Sequence, residues 1–306
     1  LNDNLKISSL YILICLIWGS TWLAIRIGLE SLPPFTSAGF RFLVAAVVIF
    51  LLMRYKSISI QTDRTSVILY FTMGFFSFII PFGLVYWGQQ HIASGIASVL
   101  FSVYPFFVAL FFKWLIPGEK LGLIKLFGIL LGFIGIIVIF SDSLSQDLNN
   151  DVLGMIAVLA SAAMQAYIVV AVKKWGQHLN PLSMNLVPIA LAAVVMIPFG
   201  LLSEGTSNIK LDFKAVGSVL YLGIFGSVVT FTTYYWLLKR INIIMLALIA
   251  FITPIIALIL GWLFAGETLE KHQLIGSAIV LLSLLVTNFN NLKTVVKNNR
   301  IFGGHQ

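Results

Sequence analysis

The stretch CLIWGSTWLAIRIGLE, Cys15 to Glu30, sets two tryptophans, a glycine, a serine and a threonine inside a run that is otherwise aliphatic. Arg26 follows closely. In a water-soluble protein the polar centre would read as a buried turn, but composition points elsewhere. The chain has 306 residues, of which 59% are hydrophobic and 10% charged, and its mean hydropathy is +1.02. Soluble domains carry about 25% charged residues, so this chain cannot coat its surface with polar groups and must face lipid. The net charge of +8 is scattered in pairs between long apolar runs. It reads as membrane topology rather than as a nucleic-acid footprint, so no nucleic-acid partner is expected.

Segments of roughly 20 apolar residues bounded by charges or turn residues predict ten helices: 9–29, 36–54, 67–88, 92–114, 121–140, 152–173, 182–202, 215–238, 243–265 and 272–289. The first is longer than a signal-peptide core and lacks a small-residue cleavage site, so it is expected to be a retained helix. Cys15 is the only cysteine, which excludes an internal disulfide or a CxxC metal site.

The chain resembles itself across the acidic loop at 141–151. A shift of 149 places Gly74 on Gly223, Phe82 on Phe231, Tyr86-Trp87 on Tyr235-Trp236, and Pro105 on Pro254. With a one-residue slip, Trp114, Gly118 and Glu119 match Trp262, Gly266 and Glu267. The expectation is a duplication of five helices, with repeats at 1–145 and 146–306. Five is odd, so the halves insert in opposite senses. With both termini cytoplasmic, only Arg26, Arg41, Lys210, Lys214 and Lys271 of the 19 Lys and Arg fall outside, as the positive-inside bias requires. Inverted repeats are a hallmark of secondary transporters.

The WGSTW run, Arg26, Pro33-Pro34, GFRFLVAA at 39–46 and the repeated Pro…Gly-Glu pattern resemble the EamA family of the drug/metabolite transporter superfamily. The resemblance covers essentially the whole chain. It implies an all-α membrane protein of ten transmembrane helices in two inverted five-helix repeats. It also implies export of metabolites, amino acids or drugs across the inner membrane of the cell.

Midplane chemistry sorts the helices. Polar groups in hydrocarbon need partners or water, and the first, third, fourth, sixth, eighth and ninth segments carry them. The others are aliphatic at their centres, apart from Ser283 in the tenth. The polar six are therefore expected around a central cavity. Ser94, Ser98 and Ser102 lie four apart and form one stripe. Trp18, Thr21 and Trp22 share a face of the first helix, with Gly19 admitting a neighbouring helix and Ser20 bonding toward it. The expected substrate-binding set is Trp18, Thr21, Trp22, Ser98, Ser102, Gln165, Thr230 and Tyr234. Any single hydroxyl can instead bond its own helix backbone; Gln165 is the strongest pointer because an amide has four hydrogen-bonding sites.

Pro81, Pro105 and Pro254 lie inside helices, where a proline frees a carbonyl and bends the rod; they are read as hinges or static kinks. Gly128, Gly132 and Gly135 permit close packing against the tenth helix or another subunit. Tyr86-Trp87 and Tyr235-Trp236 read as interfacial belts. Glu119 and Glu267 are expected to favour the N-terminus of the helix that follows each. Arg26 and Arg41 lie about one turn inside the outer boundary. They are expected to snorkel, with Glu30 as partner of Arg26; the alternative is an outer vestibule that attracts carboxylates.

Absences set the class. No GxxxxGK[ST] loop, HExxH or nucleophile elbow is present, so an ATP-driven pump or a membrane enzyme is not expected, and no cofactor or metal is implied. With no Asp or Glu at the centre, zwitterionic or neutral solutes, amino acids above all, fit better than lipophilic cations. A proton-coupled exporter of cationic drugs is the alternative. The partners implied are a small-molecule substrate and the bilayer; a monomer suffices.

Overall fold

The computed structural model describes residues 3–115, 122–141, 150–238, 240–241 and 249–287. Among these residues there is no strand. Helices satisfy every backbone group internally, which is what lipid requires. The rods are α1 (Asp3–Gly28), α2 (Pro34–Tyr55), α3 (Arg64–Met73) with α4 (Ile80–Gly88), α5 (Ser94–Phe101) with α6 (Tyr104–Leu115), α7 (Leu123–Phe140), α8 (Asn150–Trp175), α9 (Pro181–Ser203), α10 (Phe213–Leu220) with α11 (Thr230–Leu238), α12 (Ile249–Ala265) and α13 (Lys271–Thr287). Among the described residues eight rods are long and apolar enough to cross a membrane, and the described parts of α12 and α13 are apolar and shorter. The protein is a multi-pass membrane protein.

Local chemistry starts the helices where the sequence places them. Asp63 accepts from Ser66 N, Asn180 from Leu182 N and Asp212 from Ala215 N, each satisfying an orphan donor of a first turn. Pro34 and Pro181 open α2 and α9, where a missing N–H loses nothing. The acidic loop at 142–149, Glu119 and the C-terminal segment lie outside the described residues.

Three rods are interrupted. α3 and α4 are joined by a π-helical segment, Gly74–Ile79, and α10 and α11 by another, Tyr221–Val229. Under the shift of 149 the first falls within the second. Wider π turns leave carbonyls poorly paired and are common at functional sites; here Ser227 Oγ donates to Leu222 O five residues back, at 3.0 Å. The third break separates α5 from α6 at Ser102 and Val103. Pro81 stands directly behind the first π segment and Pro105 directly behind the α5–α6 break, whereas Pro254 lies within the continuous α12.

α2 packs along α9, and α7 along α13; α1 is flanked by α12, α5 and the second π-containing rod, and α8 by α4, α5 and α6. The outward faces of the two pairs are apolar and exposed, for example Phe50 and Val194 on one and Phe127 and Leu282 on the other. Two large cores result, one around α2, α9 and the π segments, the other around α5, α7, α8 and α13; Trp22 packs against both. The three glycines of α7 face α13 in the same chain. A Cβ at Gly128 would stand 2.1 Å from Thr287 Oγ1, and one at Gly135 2.7 Å from Val280 Cγ2.

Candidate functional site

The sequence-derived residues of α1 converge with partners from three other rods. Trp18 is half-buried and meets Tyr234 at 5.5 Å between ring centroids and Phe231 at 6.1 Å. Trp22 meets Phe101 of α5 at 5.5 Å, and Phe101 stacks on Tyr104. The interior is thus walled by aromatic faces, which bind apolar groups and attract ammonium groups without a carboxylate. Gly19 admits α12, where a Cβ would collide with Ile256 at 2.6 Å. Ser20 instead hydrogen-bonds Tyr221 OH at 2.6 Å on the second π segment, so the two residues serve different neighbours.

The hydroxyls divide into two groups. Thr21 donates to Trp18 O at 2.7 Å and Ser102 to Val99 O at 2.7 Å, so both bond their own helices. Ser98 and Thr230 are buried with side-chain oxygens that have no hydrogen-bond partner among the described residues. Buried polar atoms without partners are rare and point to an absent ligand or water. Gln165 is half-buried, and its amide nitrogen donates to Ser161 Oγ at 3.2 Å. Ser94 faces α12 near Gly261 and does not continue the Ser98 lining.

Arg41 does not snorkel, and Arg26 does not take its expected partner. Arg26 Nη1 donates to Gln89 O at 2.8 Å, while its expected partner Glu30 pairs with Lys214. Arg41 is only 4% exposed. Its Nε donates to Ser227 Oγ at 3.2 Å, its Nη1 lies 3.5 Å from Tyr86 OH and its Nη2 3.4 Å from Gly226 O. The guanidinium also lies 4.9 Å from the Phe82 ring centroid. The second π segment comes close to both helices here: a Cβ at Gly223 would collide with Val44 of α2, and one at Gly226 with Thr21 of α1. Tyr86, expected in an interfacial belt, is fully buried against this arginine. Tyr86 and Ser227 are neighbours of Arg41 that the sequence marks only weakly, Tyr86 by its recurrence at Tyr235 and Ser227 by its spacing from Thr230.

Two glutamates fasten the same end of the bundle. Glu204, after α9, accepts from Phe35 N at 2.8 Å and from Thr36 N at 3.0 Å. Glu267 accepts from Ser94 N at 2.7 Å and Gly95 N at 3.1 Å. It therefore caps α5 and not the helix that follows it, because a carboxylate goes to whichever helix N-terminus the fold brings near. Beside them Asp212 is held below the usual carboxylate range, first by the Ala215 N–H and then by the Ser31 hydroxyl. Among the described residues no group of three or more His, Cys, Asp or Glu gathers where a metal could bind.

Comparison with known proteins gives a consistent context. The model of the EamA-like transporter family matches residues 5–141 and again 152–289. The uncharacterized transporter YoaV of Bacillus subtilis is 26% identical over 280 residues, spanning 90% of this chain and 94% of its own length. Protein PagO of Salmonella typhimurium is 26% identical over 93% of each chain. The uncharacterized inner membrane transporter YedA of Escherichia coli K12 is 28% identical, over 89% of this chain and 87% of its own. A solved crystal structure aligns with a TM-score of 0.66 over 94% of this chain and 98% of its own; at 16% identity the likeness concerns the fold alone.

Proposed function

We propose, from the premise that the chain belongs to the EamA-like transporter family, that this membrane transporter exports small zwitterionic or neutral metabolites, amino acids above all. It does so by alternating access, with ten spans arranged as two inverted five-helix repeats. The observation that carries the substrate reading is the pair of ring groups on either side of Thr21, Trp18 with Tyr234 and Trp22 with Phe101 and Tyr104, on rods that also carry the unpartnered hydroxyls of Ser98 and Thr230. These are aromatic and hydroxyl groups, with no carboxylate among them. A lipophilic cation would meet a buried guanidinium and no opposite charge, which speaks against the drug-exporter alternative.

The placement of Pro81 and Pro105 behind helix discontinuities supports their role as hinges, since the backbone there already lacks continuous hydrogen bonding. The charge bias supports both termini in the cytoplasm of the cell and an inner-membrane location. A proteoliposome flux panel of amino acids, nucleosides, sugars and quaternary cations tests the substrate class. Amino acid flux well above the others is expected; transport of quaternary cations alone would overturn the reading. Labelling of single cysteines introduced at positions 145 and 177 in intact cells tests orientation, with only the first expected to react.

A further inference from the structure

Among the described residues Arg41 is the one buried charge, and no carboxylate balances it. A rise of 1.5 Å per residue places it about 10 Å inside the start of α2, and it is 4% exposed. A guanidinium has five N–H donors. Here Nε makes a well-formed bond to Ser227, while the contacts of Nη1 and Nη2 at 3.5 and 3.4 Å lie at the outer limit of hydrogen bonding. Among the described residues no ion pair includes Arg41.

The carboxylates nearest in the fold are committed elsewhere. Glu30 pairs with Lys214, Glu204 holds Phe35 and Thr36, Asp212 holds Ser31 and Ala215, and Glu267 holds Ser94 and Gly95. A buried cation without a counter-charge is strongly unfavourable and, inside a membrane, marks a functional pathway.

Two features of the second π-containing rod bear on where an anion would sit. Thr230 Oγ1 is fully buried and unpartnered, and Thr230 is one turn along the same rod from Gly226 and Ser227, hence on the same side. Gly226 lies between the guanidinium and the central layer. A Cβ there would stand 2.9 Å from Thr21 Cγ2 and 3.7 Å from Arg41 Nη2. The arginine is therefore adjacent to the helix face that carries Trp18 and Trp22.

Resting on the transporter reading above, we propose that Arg41 is the anchor for an anionic group of the transported solute, a carboxylate, with the Tyr86 and Thr230 hydroxyls as its neutral neighbours. Guanidinium donors match a carboxylate in pairs. The aromatic layer beyond Thr21 then receives the ammonium or apolar remainder of the same molecule. Neutral nucleosides and sugars lack the group this anchor takes. Because the site is closed over in this conformation, the anion reaches Arg41 only when the bundle opens toward one side.

The test is the ratio of two fluxes in one preparation. Proteoliposomes of wild type, Arg41→Gln and Arg41→Lys are assayed with labelled amino acids and with their carboxamides, which keep the ammonium and side chain but lack the negative charge. The wild type is expected to favour the carboxylate, and Arg41→Gln to lower the carboxylate-to-carboxamide ratio about tenfold or more. Arg41→Lys is expected to retain part of it. A purely structural arginine would lower both fluxes together and leave the ratio unchanged, which overturns the proposal. If the wild type moves no amino acid but moves another carboxylate, and Arg41→Gln abolishes that flux, the amino-acid reading falls and the anchor stands. If the wild type moves only neutral solutes or cations, the anchor falls while the transporter reading stands.

Discussion

The α2–α9 and α7–α13 pairs occupy matching places in the duplicated sequence, and both are seamed by glycine. Gly39 lies against Ile197 and Gly200 against Thr36 in the first; Gly132 lies against Phe106 and Ser283 in the second. Their other faces differ. Apart from Lys125 in its first turn, α7 carries only glycine, aliphatic and aromatic residues. α2 turns Arg41 inward onto a π segment, and Glu204 at the end of α9 holds the start of α2. The difference separates what a membrane helix pair needs in order to pack from what it carries for function. Close packing needs small residues alone; a buried charge adds nothing to packing and needs a partner.

Disturbing the pure scaffold gives the largest expected effect on stability. In Gly132→Leu the new Cβ would stand 2.1 Å from the Phe106 ring, and overpacking of this kind costs about 3 kcal/mol. The melting temperature in detergent should fall steeply, while flux per folded molecule stays near wild type. A variant that melts normally would show the seam to be loose.

Trp18→Ala and Trp22→Ala leave the seams untouched and should each lower flux about tenfold. Trp87→Ala should change abundance more than flux. Normal transport by both interior variants would break the assignment of the central layer.

Gln165→Ala should lower flux several-fold by removing one interior amide, a loss of about 1 kcal/mol. Ser283→Ala should lower it little, since that hydroxyl already bonds Val280 O at 2.6 Å. Equal flux from the two variants at equal abundance would contradict the lining.

The α2–α9 pair has its own smaller lever. Glu204→Gln keeps the shape of the α2 cap but removes its charge, and should destabilise by about 1 kcal/mol. The same change at Glu267 should act on α5 by a similar amount. Thermal melts of both variants in one detergent check this.

The smallest effect lies at the opposite end of the bundle. Asp63 is held below its ordinary value of 3.8, chiefly by the Ser66 hydroxyl. Its carboxylate is better bound in the folded state, so its contribution is full above that ordinary value and fades as pH falls through the lowered one. Melting measured across that acid range should fall less steeply in Asp63→Asn than in wild type. An unchanged acid slope would remove this cap from the account.

Much of the architecture was legible before any coordinates. Pro33-Pro34 marked the start of α2 in the sequence, while the caps at Asp63, Asn180 and Asp212 emerged from the structure. The apolar runs gave the spans, since crossing lipid is a matter of length and composition. The duplication and the glycine spacing on α7 were visible as pattern. So was Trp18 with Trp22, where a four-residue spacing alone puts two rings on one face.

The rest depended on which segments meet. Arg41 seven residues inside α2 has a stem long enough to reach water or the interior, and sequence distance does not choose between them. Gly226, Ser227 and Tyr86 choose, and they belong to rods far away in the chain. Glu267 lies four residues before a helix it does not cap; its donors are Ser94 and Gly95, 173 and 172 residues back. The π segments likewise follow from packing, since nothing in GFFSFI by itself prefers a wider turn. Short-range rules thus set the helices, their ends and the faces they present, while the long-range meeting of those faces alone decided where Arg41, the one buried charge among the described residues, came to rest.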